Sequence, residues 1–312
     1  MKKQLLLAFG LLTAFICTAT CAEAQRPDTA WLMVHYKFSH IMDTSNRDHP
    51  YTENMVLFIG KNASVYRSYD GLVTDQQFKK AWAEAAASSP DGEPRINRMG
   101  RGSSQQYYQY PAEQKLFTKN NIMVTDYLIE GPMPVIDWKI GDDTATFGGL
   151  HCQKATGHFK GRDYVVWFCP DLPVHSGPWK LNGLPGVIVD AHDTKNEVVF
   201  AFDGVEKTFP ASPKVKSADG STDEKDLPPV LRGLNDDPNL IQPPARLVKT
   251  TQKEYDKLRA AMQKDPAAFA QAINAASDKG DGPKQDHLIV KASPKGGRPP
   301  FVNNNPIELP EK

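Results

Sequence analysis

Short runs of apolar residues recur along the first two thirds of the chain, and residues typical of turns separate one run from the next. The run at 30–40 alternates most clearly, because Leu32, Val34 and Tyr36 occupy every second position. Side chains of a strand point to alternate faces, so this pattern predicts a half-buried strand. Further strands are predicted at residues 55–59, 64–69, 106–110, 122–129, 135–140, 144–147, 152–159, 163–169, 187–191 and 198–202.

Helical signals are few and stand at the two ends of this strand-rich region. Capping boxes begin at Thr74 and Thr251, and an Asp-Pro pair stands at 265–266. They predict helices at residues 75–87, at 251–264 and from 266 onwards. Strands that follow each other without intervening helices indicate antiparallel pairing. We therefore expect an α+β fold, mainly antiparallel β, in which a curved sheet or open half-barrel carries a few helices packed on it.

The composition changes along the chain and suggests how it is divided. After residue 210 the sequence becomes polar and rich in proline, which is typical of an insertion or linker without its own core. The last residues, rich in Asn and Pro, look extended and mobile. The predicted parts are a signal peptide at 1–24, an antiparallel β domain with one early helix at 25–210, a Pro-rich insertion or linker at 211–250, a helical pair at 251–278 and a low-complexity tail at 279–312.

The N-terminus has the pattern of a secretory signal peptide. Two lysines precede an apolar stretch from Leu5 to Ile16, and small residues at Ala22 and Ala24 fit a cleavage site after Ala24. The apolar stretch is too short to span a membrane and no other segment is apolar over about 20 residues, so we expect no transmembrane segment in the mature chain. The expected location is the periplasm or cell envelope, or outside the cell. Lipidation at Cys17 or Cys21 is an alternative, although the residues before both depart from a lipobox.

The charges of the chain are balanced, with 37 basic and 37 acidic side chains. The predicted signal peptide would remove two lysines and one glutamate, which leaves the mature chain close to neutral. Such a balance does not favour a nucleic-acid partner. The expected partners are an envelope protein or an apolar small molecule.

Two cysteines, Cys152 and Cys169, lie outside the signal peptide, and in an oxidising compartment a pair favours a disulfide. Between them Lys160-Gly161 is suited to a two-residue hairpin loop. In that register Cys152 lies directly opposite Cys169, at a non-hydrogen-bonded position where side chains approach most closely. Two reduced thiols, or a metal site that uses His151, are the alternatives.

The most distinctive stretch runs from Gly177 to Asp190, with the sequence GPWKLNGLPGVIVD. Pro185-Gly186 predicts a type II turn, since proline presets φ at the second position and glycine supplies a positive φ at the third. On this interpretation the turn leads into a hairpin of strands 187–191 and 198–202. The alternative is a rigid surface loop that presents Trp179 to a ligand or partner.

The segment Gly183-Leu184-Pro185-Gly186-Val187-Ile188 resembles the motif of the GLPGLI family of exported Bacteroidetes proteins, with Val187 in place of the family's leucine. Supporting matches follow in family-like order at 152–156, 159–162, 167, 177–179 and 305–309. The resemblance implies a secreted or periplasmic β-rich protein whose biochemical role is not established. It supplies no catalytic residues.

The sequence contains no nucleophile elbow, no His-Glu-x-x-His motif and no phosphate-binding glycine loop with Lys-Ser/Thr. We predict no catalytic residues and no cofactor, and whether the chain is an enzyme stays open, with a binding protein favoured. Asp190 and His192 share one face of a strand. A strand-end ion pair is favoured there over a catalytic dyad, because no nucleophile stands nearby in the sequence.

Three functions remain as hypotheses. The favoured one is an envelope protein that binds an apolar ligand or a partner protein through its curved sheet. The contact residues expected for this role are Trp179, Pro185, Gly186 and Trp167. The second hypothesis is a metal-binding or metal-dependent exported protein that uses His175, His192 and His151. The third is a structural accessory of an outer-membrane complex, recognised through Trp179 and the Pro185-Gly186 turn.

Overall fold

The computed structural model describes residues 27–88, 102–210, 214–216, 220–227, 231, 233–278 and 302–311. The predicted signal peptide at 1–24 and the first part of the predicted tail, 279–301, lie outside these ranges. The strands are β1 (Asp28–Thr29), β2 (Leu32–His40), β3 (Tyr51–Ile59), β4 (Ser64–Ser68), β5 (Gln106–Tyr110), β6 (Lys115–Ile122), β7 (Thr125–Pro132), β8 (Trp138–Phe147), β9 (Leu150–Phe159), β10 (Arg162–Cys169), β11 (Val187–Asp193), β12 (Val198–Glu206), β13 (Leu240–Ile241) and β14 (Val248–Thr250). The α-helices are α1 (Tyr69–Ser88), α2 (Gln252–Lys264) and α3 (Pro266–Asp278).

In these ranges, twelve strands form one large sheet in the order β14-β7-β6-β5-β4-β3-β2-β12-β11-β10-β9-β8. Neighbouring strands are antiparallel, except that β14 runs parallel to β7. The sheet is open, with β14 and β8 at its edges, and it does not close into a barrel. The prediction of an α+β, mainly antiparallel β fold is confirmed.

Both faces of the central strands are buried, each in its own apolar cluster. Val34 and Tyr36 of β2 belong to the first face, while Met33, directly before Val34, belongs to the second. Alternate residues of β2 therefore point into two different cores. Neither face of this strand points to solvent. The first face is covered by the connection between β10 and β11, residues 170–186, which contributes Leu172, Trp179, Leu181 and Leu184 to its cluster.

The second face is covered by the start of α1, by the end of the predicted β domain and by chain beyond that domain. Phe209, Ile241 and Leu247 pack there together with the start of α1. Val215 and its neighbours form another small cluster with Phe78 of α1. The described parts of the predicted linker at 211–250 thus pack as a cover of the sheet, and β14 extends that sheet.

The helices differ from the prediction mainly in where α1 begins. It starts at Tyr69 and not at 75, because the Ser68 hydroxyl accepts a hydrogen bond from the Gly71 amide at 2.9 Å and caps the helix earlier. The other two caps are as predicted. Thr251 accepts from the Glu254 amide at 3.3 Å, and Asp265 accepts from the Ala268 amide at 2.9 Å.

Two strand predictions are wrong in their boundaries. The single strand expected at 122–129 is interrupted by a turn at Met123-Val124, which joins β6 to β7. Met123 has a φ of 56°, and its apolar side chain gave no sign of a turn. The strands expected at 135–140 and 144–147 are one strand, β8, with a register shift between Ile140 and Thr144.

The hairpin of β9 and β10 has the predicted register. Phe159 pairs with Arg162 and Gln153 pairs with Phe168 across a loop at Lys160-Gly161, where φ is 53° and 69°. Such positive values are required by the tight turns that suit a twisted hairpin. Cys152 and Cys169 form a disulfide, as predicted, and both lie in the core of the first face.

Replacing both cysteines with alanine is expected to lower the free energy of unfolding by about 3 kcal/mol. The disulfide closes a loop over a sequence separation of 17 residues, and the unfolded chain gains entropy when that constraint is lost. Urea denaturation of the oxidised protein and of the double variant measures the difference. The wild-type protein under reducing conditions should match the variant, and unchanged stability in both would contradict the expectation.

Candidate functional site

The stretch that carries the family resemblance belongs to the loop at 170–186, which we call the signature loop. Its Trp179 is 2% exposed and packs against the rings of Phe159, Tyr164 and Phe200, with centroids 5.5, 6.5 and 6.5 Å away. The expectation that this loop presents Trp179 at the surface is therefore wrong. A large aromatic ring buries more apolar area in this core than it would at the surface.

Buried polar side chains of the sheet hold the main chain of the signature loop. Gln109 of β5 donates from its amide to the carbonyls of Gly177 and Trp179, at 3.2 and 3.1 Å. The Tyr36 hydroxyl donates to the Ile188 carbonyl of β11, just after the loop, at 2.7 Å. Trp179 itself has a φ of 56°, a left-handed conformation that costs about 1–3 kcal/mol in a bulky residue. The loop is held firmly enough for that strain to persist.

The turn at Pro185-Gly186 is not the predicted type II turn. The Gly186 amide donates to the Leu184 carbonyl at 2.8 Å, which closes a three-residue turn around Pro185. The φ of Gly186 is outside the left-handed region, whereas Gly183 has a φ of 94°. Glycine is needed at 186 for another reason, because a Cβ there would lie 2.4 Å from the Cys169 carbonyl oxygen.

A cleft of about 480 Å³ opens where the signature loop meets two other connections of the sheet. These are the β5–β6 connection and the segment between β7 and β8. Its apolar walls are formed by Pro111, Ala112, Met133, Pro134, Val135 and Ile136. Gln114, His175, Asn182 and Gly183 complete the lining. Val135 is 91% exposed, which is unusual for a large apolar side chain.

The signature loop shapes one wall of this cleft through Asn182. The side-chain amide of Asn182 donates to the Pro134 carbonyl at 3.2 Å and to the Lys180 carbonyl at 3.0 Å. The main-chain carbonyl of Asn182 accepts from the indole of Trp138 at 2.8 Å. Asn182 thus ties the loop to both ends of the segment that carries Val135. Sequence reasoning missed this residue, although Asn182-Gly183 stands inside the motif.

The residues predicted to contact a ligand are not gathered at this cleft. Trp179 is buried and Pro185 is exposed, yet neither lines the cleft, nor does Gly186. Trp167 is half-buried, with its ring 5.8 Å from Phe147. The first face of the sheet, expected to enclose a ligand, is filled by the signature loop.

The histidines predicted as metal ligands are also separate from one another. His151 is exposed and lies 3.1 Å from an Asp171 oxygen, and His175 lines the cleft. His192 follows Ala191 on β11 and so faces the opposite side of the sheet from that core residue. Within the described ranges, no three His, Cys, Asp or Glu side chains are grouped to hold a metal ion.

Asp190 has a structural contact that explains its position. Its carboxylate accepts a hydrogen bond from the Phe202 amide at 3.0 Å, next to the register shift between β12 and β2. Burial raises the pKa of this carboxyl, and the bond from Phe202 and the neighbouring His192 oppose the rise. The contact holds the irregular part of β12 in place.

Comparison with known proteins adds little to this picture. No family model matches the chain, and no curated protein matches it. Two solved structures are similar, entitled "Structure of PNGF-II in C2 space group" and "Structure of PNGF-II in P21 space group". They share 10% and 12% identity with this chain, at TM-scores of 0.44 and 0.43. Each match covers 72% of this chain and 32% of the other, so this chain spans about a third of their length. No helix in the described ranges is long and apolar enough to cross a membrane.

Proposed function

We propose that this chain is an exported protein of the cell envelope, related to the GLPGLI family, that binds a small molecule with an apolar body. The binding site is the cleft beside the signature loop. The observation that carries this proposal is the cleft of about 480 Å³ with six apolar residues in its walls. That volume lies in the range of small-molecule sites, which combine apolar walls with a few polar groups.

The composition of the lining supports recognition as the role of this cleft. Gln114 and Asn182 supply amide groups, and His175 is the one titratable side chain among the lining residues. These groups suit a ligand with one hydrogen-bonding end and an apolar remainder. A bound molecule would also remove part of Val135 from water, at about 25 cal/mol for each Å² of apolar surface covered.

The role of the family motif follows from the same geometry. Asn182 of the signature loop is bonded to the segment that carries Val135, so the loop holds the wall of the cleft in position. Pre-formed walls spare a ligand the cost of ordering the protein on binding. The motif therefore positions the wall of the binding site. Its aromatic residue, Trp179, is buried in the core beneath the loop and does not contact the ligand.

Filling the cleft with Ala112→Trp is expected to weaken binding of the fluorescent probe 1-anilinonaphthalene-8-sulfonate about tenfold, which corresponds to 1.4 kcal/mol. Ala112 is exposed, so the larger ring can occupy the cleft without disturbing the core. Fluorescence titration of the purified protein measures the change. Native mass spectrometry of protein purified from its own envelope tests for a bound small molecule.

The matched control is Val124→Trp, which adds the same ring at an exposed turn that does not line the cleft. Its probe affinity should equal that of the wild type, while circular dichroism confirms that both variants are folded. Equal affinity in a folded Ala112→Trp protein would refute the cleft as the binding site.

A further inference from the structure

The C-terminal segment at 302–311, which we call the tail segment, is extended and lies across the tip of the β9–β10 hairpin. The Leu309 amide donates to the Lys160 carbonyl at 3.0 Å, and the Asn305 amide donates to the Met42 carbonyl at 3.1 Å. Among residues 302–311, Asn305 alone is fully buried, at 5% exposure. The predicted tail is thus extended, but its end is anchored to the body of the protein.

The anchor is the guanidinium of Arg162, whose side chain is 2% exposed. One terminal nitrogen donates to Asp193 at 2.6 Å and to Glu197 at 3.2 Å. The other donates to the Asn305 side chain at 2.7 Å and to the Pro306 carbonyl at 2.8 Å. The Nε–H donates to the Ile307 carbonyl at 3.0 Å. Every N–H group of the guanidinium donates a hydrogen bond. The tail segment accepts more of these bonds than the rest of the protein does.

The acidic residues of this network, Asp193 and Glu197, also have partners outside the tail segment. Asp193 accepts from the amides of Glu197 and Val198, at 2.6 and 3.1 Å. Glu197 is also bonded to Arg47 at 2.9 Å. The carboxylates that orient Arg162 are therefore fixed within β11, β12 and their connection. Removal of the tail would leave a preformed socket in which the Nε–H and one terminal nitrogen of the Arg162 guanidinium have lost their acceptors.

Asn305 matches the socket through both ends of its side-chain amide. The nitrogen donates to the Ile41 carbonyl at 2.7 Å and to Glu197 at 3.1 Å, while the oxygen accepts from Arg162. Its main-chain carbonyl lies 2.8 Å from the His40 Nε2. An aspartate would add a third carboxylate to the network of Asp193 and Glu197, so the socket selects asparagine by both shape and charge.

The surface that surrounds the tail segment, which we call the rim, is basic, whereas the tail segment is acidic. Glu308 pairs with Lys180 of the signature loop and with Lys160 at the hairpin tip. Glu311 pairs with His158 at 2.9 Å and accepts from the Gly161 amide at 3.2 Å. Hydrogen bonds to Asp163 and Glu311 raise the pKa of His158, which favours its charged form. This charge complementarity fixes the direction in which the tail segment runs across this surface.

From these contacts we propose that the hairpin tip and its socket form a peptide-binding groove for an extended segment of the form Asn-Pro-Ile-Glu, followed by a further acidic residue. The occupant is the tail segment of this chain, and the same segment of a second copy can replace it. Recognition through main-chain hydrogen bonds and a single buried side chain is the mode of exchangeable peptide ligands. The groove is separate from the cleft, and the proposal does not depend on the cleft.

The test uses the full chain with Asn305→Ala, which removes the side-chain anchor of its own tail. A fluorescent synthetic peptide of residues 302–311 is expected to bind this variant at least about tenfold more tightly than the wild type, whose groove is already occupied. Fluorescence anisotropy measures the affinity. The same peptide with Asn305→Ala should not bind, because it lacks the group that fits the socket.

Hydrogen exchange shows whether the tail of the variant is released. A folded Asn305→Ala protein that has lost protection at 302–311 and still does not bind the peptide overturns the proposal, as does a tail that stays fully protected. If that variant does not fold, a double variant with Glu308→Gln and Glu311→Gln takes its place. It weakens only the ion pairs between the tail segment and the rim. Peptide affinity of this double variant above that of the wild type supports the groove, and equal affinity overturns it.

Discussion

Replacing Gly186 with alanine is expected to lower the free energy of unfolding by about 3 kcal/mol. The added Cβ would lie 2.4 Å from the Cys169 carbonyl oxygen and 2.8 Å from the Pro170 nitrogen. Both are main-chain atoms, and Cys169 is held by β11 on one side and by the disulfide. No side-chain rotation can relieve the contact, so the strand or the signature loop has to shift. Urea denaturation monitored by tryptophan fluorescence measures the loss.

Gly131→Ala is the matched control for this substitution. Gly131 lies in β7, and a Cβ at that position meets no atom within 4 Å. The free energy of unfolding of the Gly131→Ala variant should differ from that of the wild type by less than about 0.5 kcal/mol, as is usual for substitutions that create no close contact. If both variants lost the same amount, close approach would not be the reason for glycine at 186.

Replacing Arg162 with methionine is expected to cost about 3–5 kcal/mol, because it leaves the buried carboxylate of Asp193 without its cation and leaves Glu197 with Arg47 alone. Asp193 and Glu197 are 2% and 7% exposed, and both accept from this guanidinium. The carbonyls of Pro306 and Ile307 lose their donors in the same step. Denaturation should therefore show lower stability, and hydrogen exchange should show loss of protection in the tail segment.

The control for the loss of charge is Lys154→Met on the neighbouring strand. Lys154 forms an ion pair with Asp143 at 2.9 Å, with side chains 36% and 67% exposed. Water screens such a pair, so its removal should cost less than about 1 kcal/mol. A loss at Arg162 no larger than the loss at Lys154 would contradict a buried network that depends on its cation.

The residues most noticeable in the sequence have mainly architectural roles. Trp179 and Gly186 are required by the packing of the signature loop on the first face of the sheet. The two recognition sites that we propose adjoin that loop, and they are the cleft near Asn182 and the groove near Lys180 that holds the tail segment.

Local patterns were sufficient where the contact partners are close in sequence and a characteristic turn or cap residue marks the position. Lys160-Gly161 allows a tight turn, and from that turn the register of β9 and β10 and the disulfide between Cys152 and Cys169 follow by counting. The capping box at Thr251 locates the start of α2 for the same reason. The turn at Met123 was missed, because a left-handed conformation without glycine or asparagine leaves no mark in the sequence.

The sequence by itself determined the class of fold, the hairpin register and the disulfide, since these depend on alternation, turn chemistry and short separations. Only the tertiary structure decided that Trp179 is buried, that Gly186 is needed for close approach and that Arg162 binds Asn305 across 143 residues. Such contacts depend on which surfaces the sheet brings together. No local pattern of apolar and polar residues carries that information.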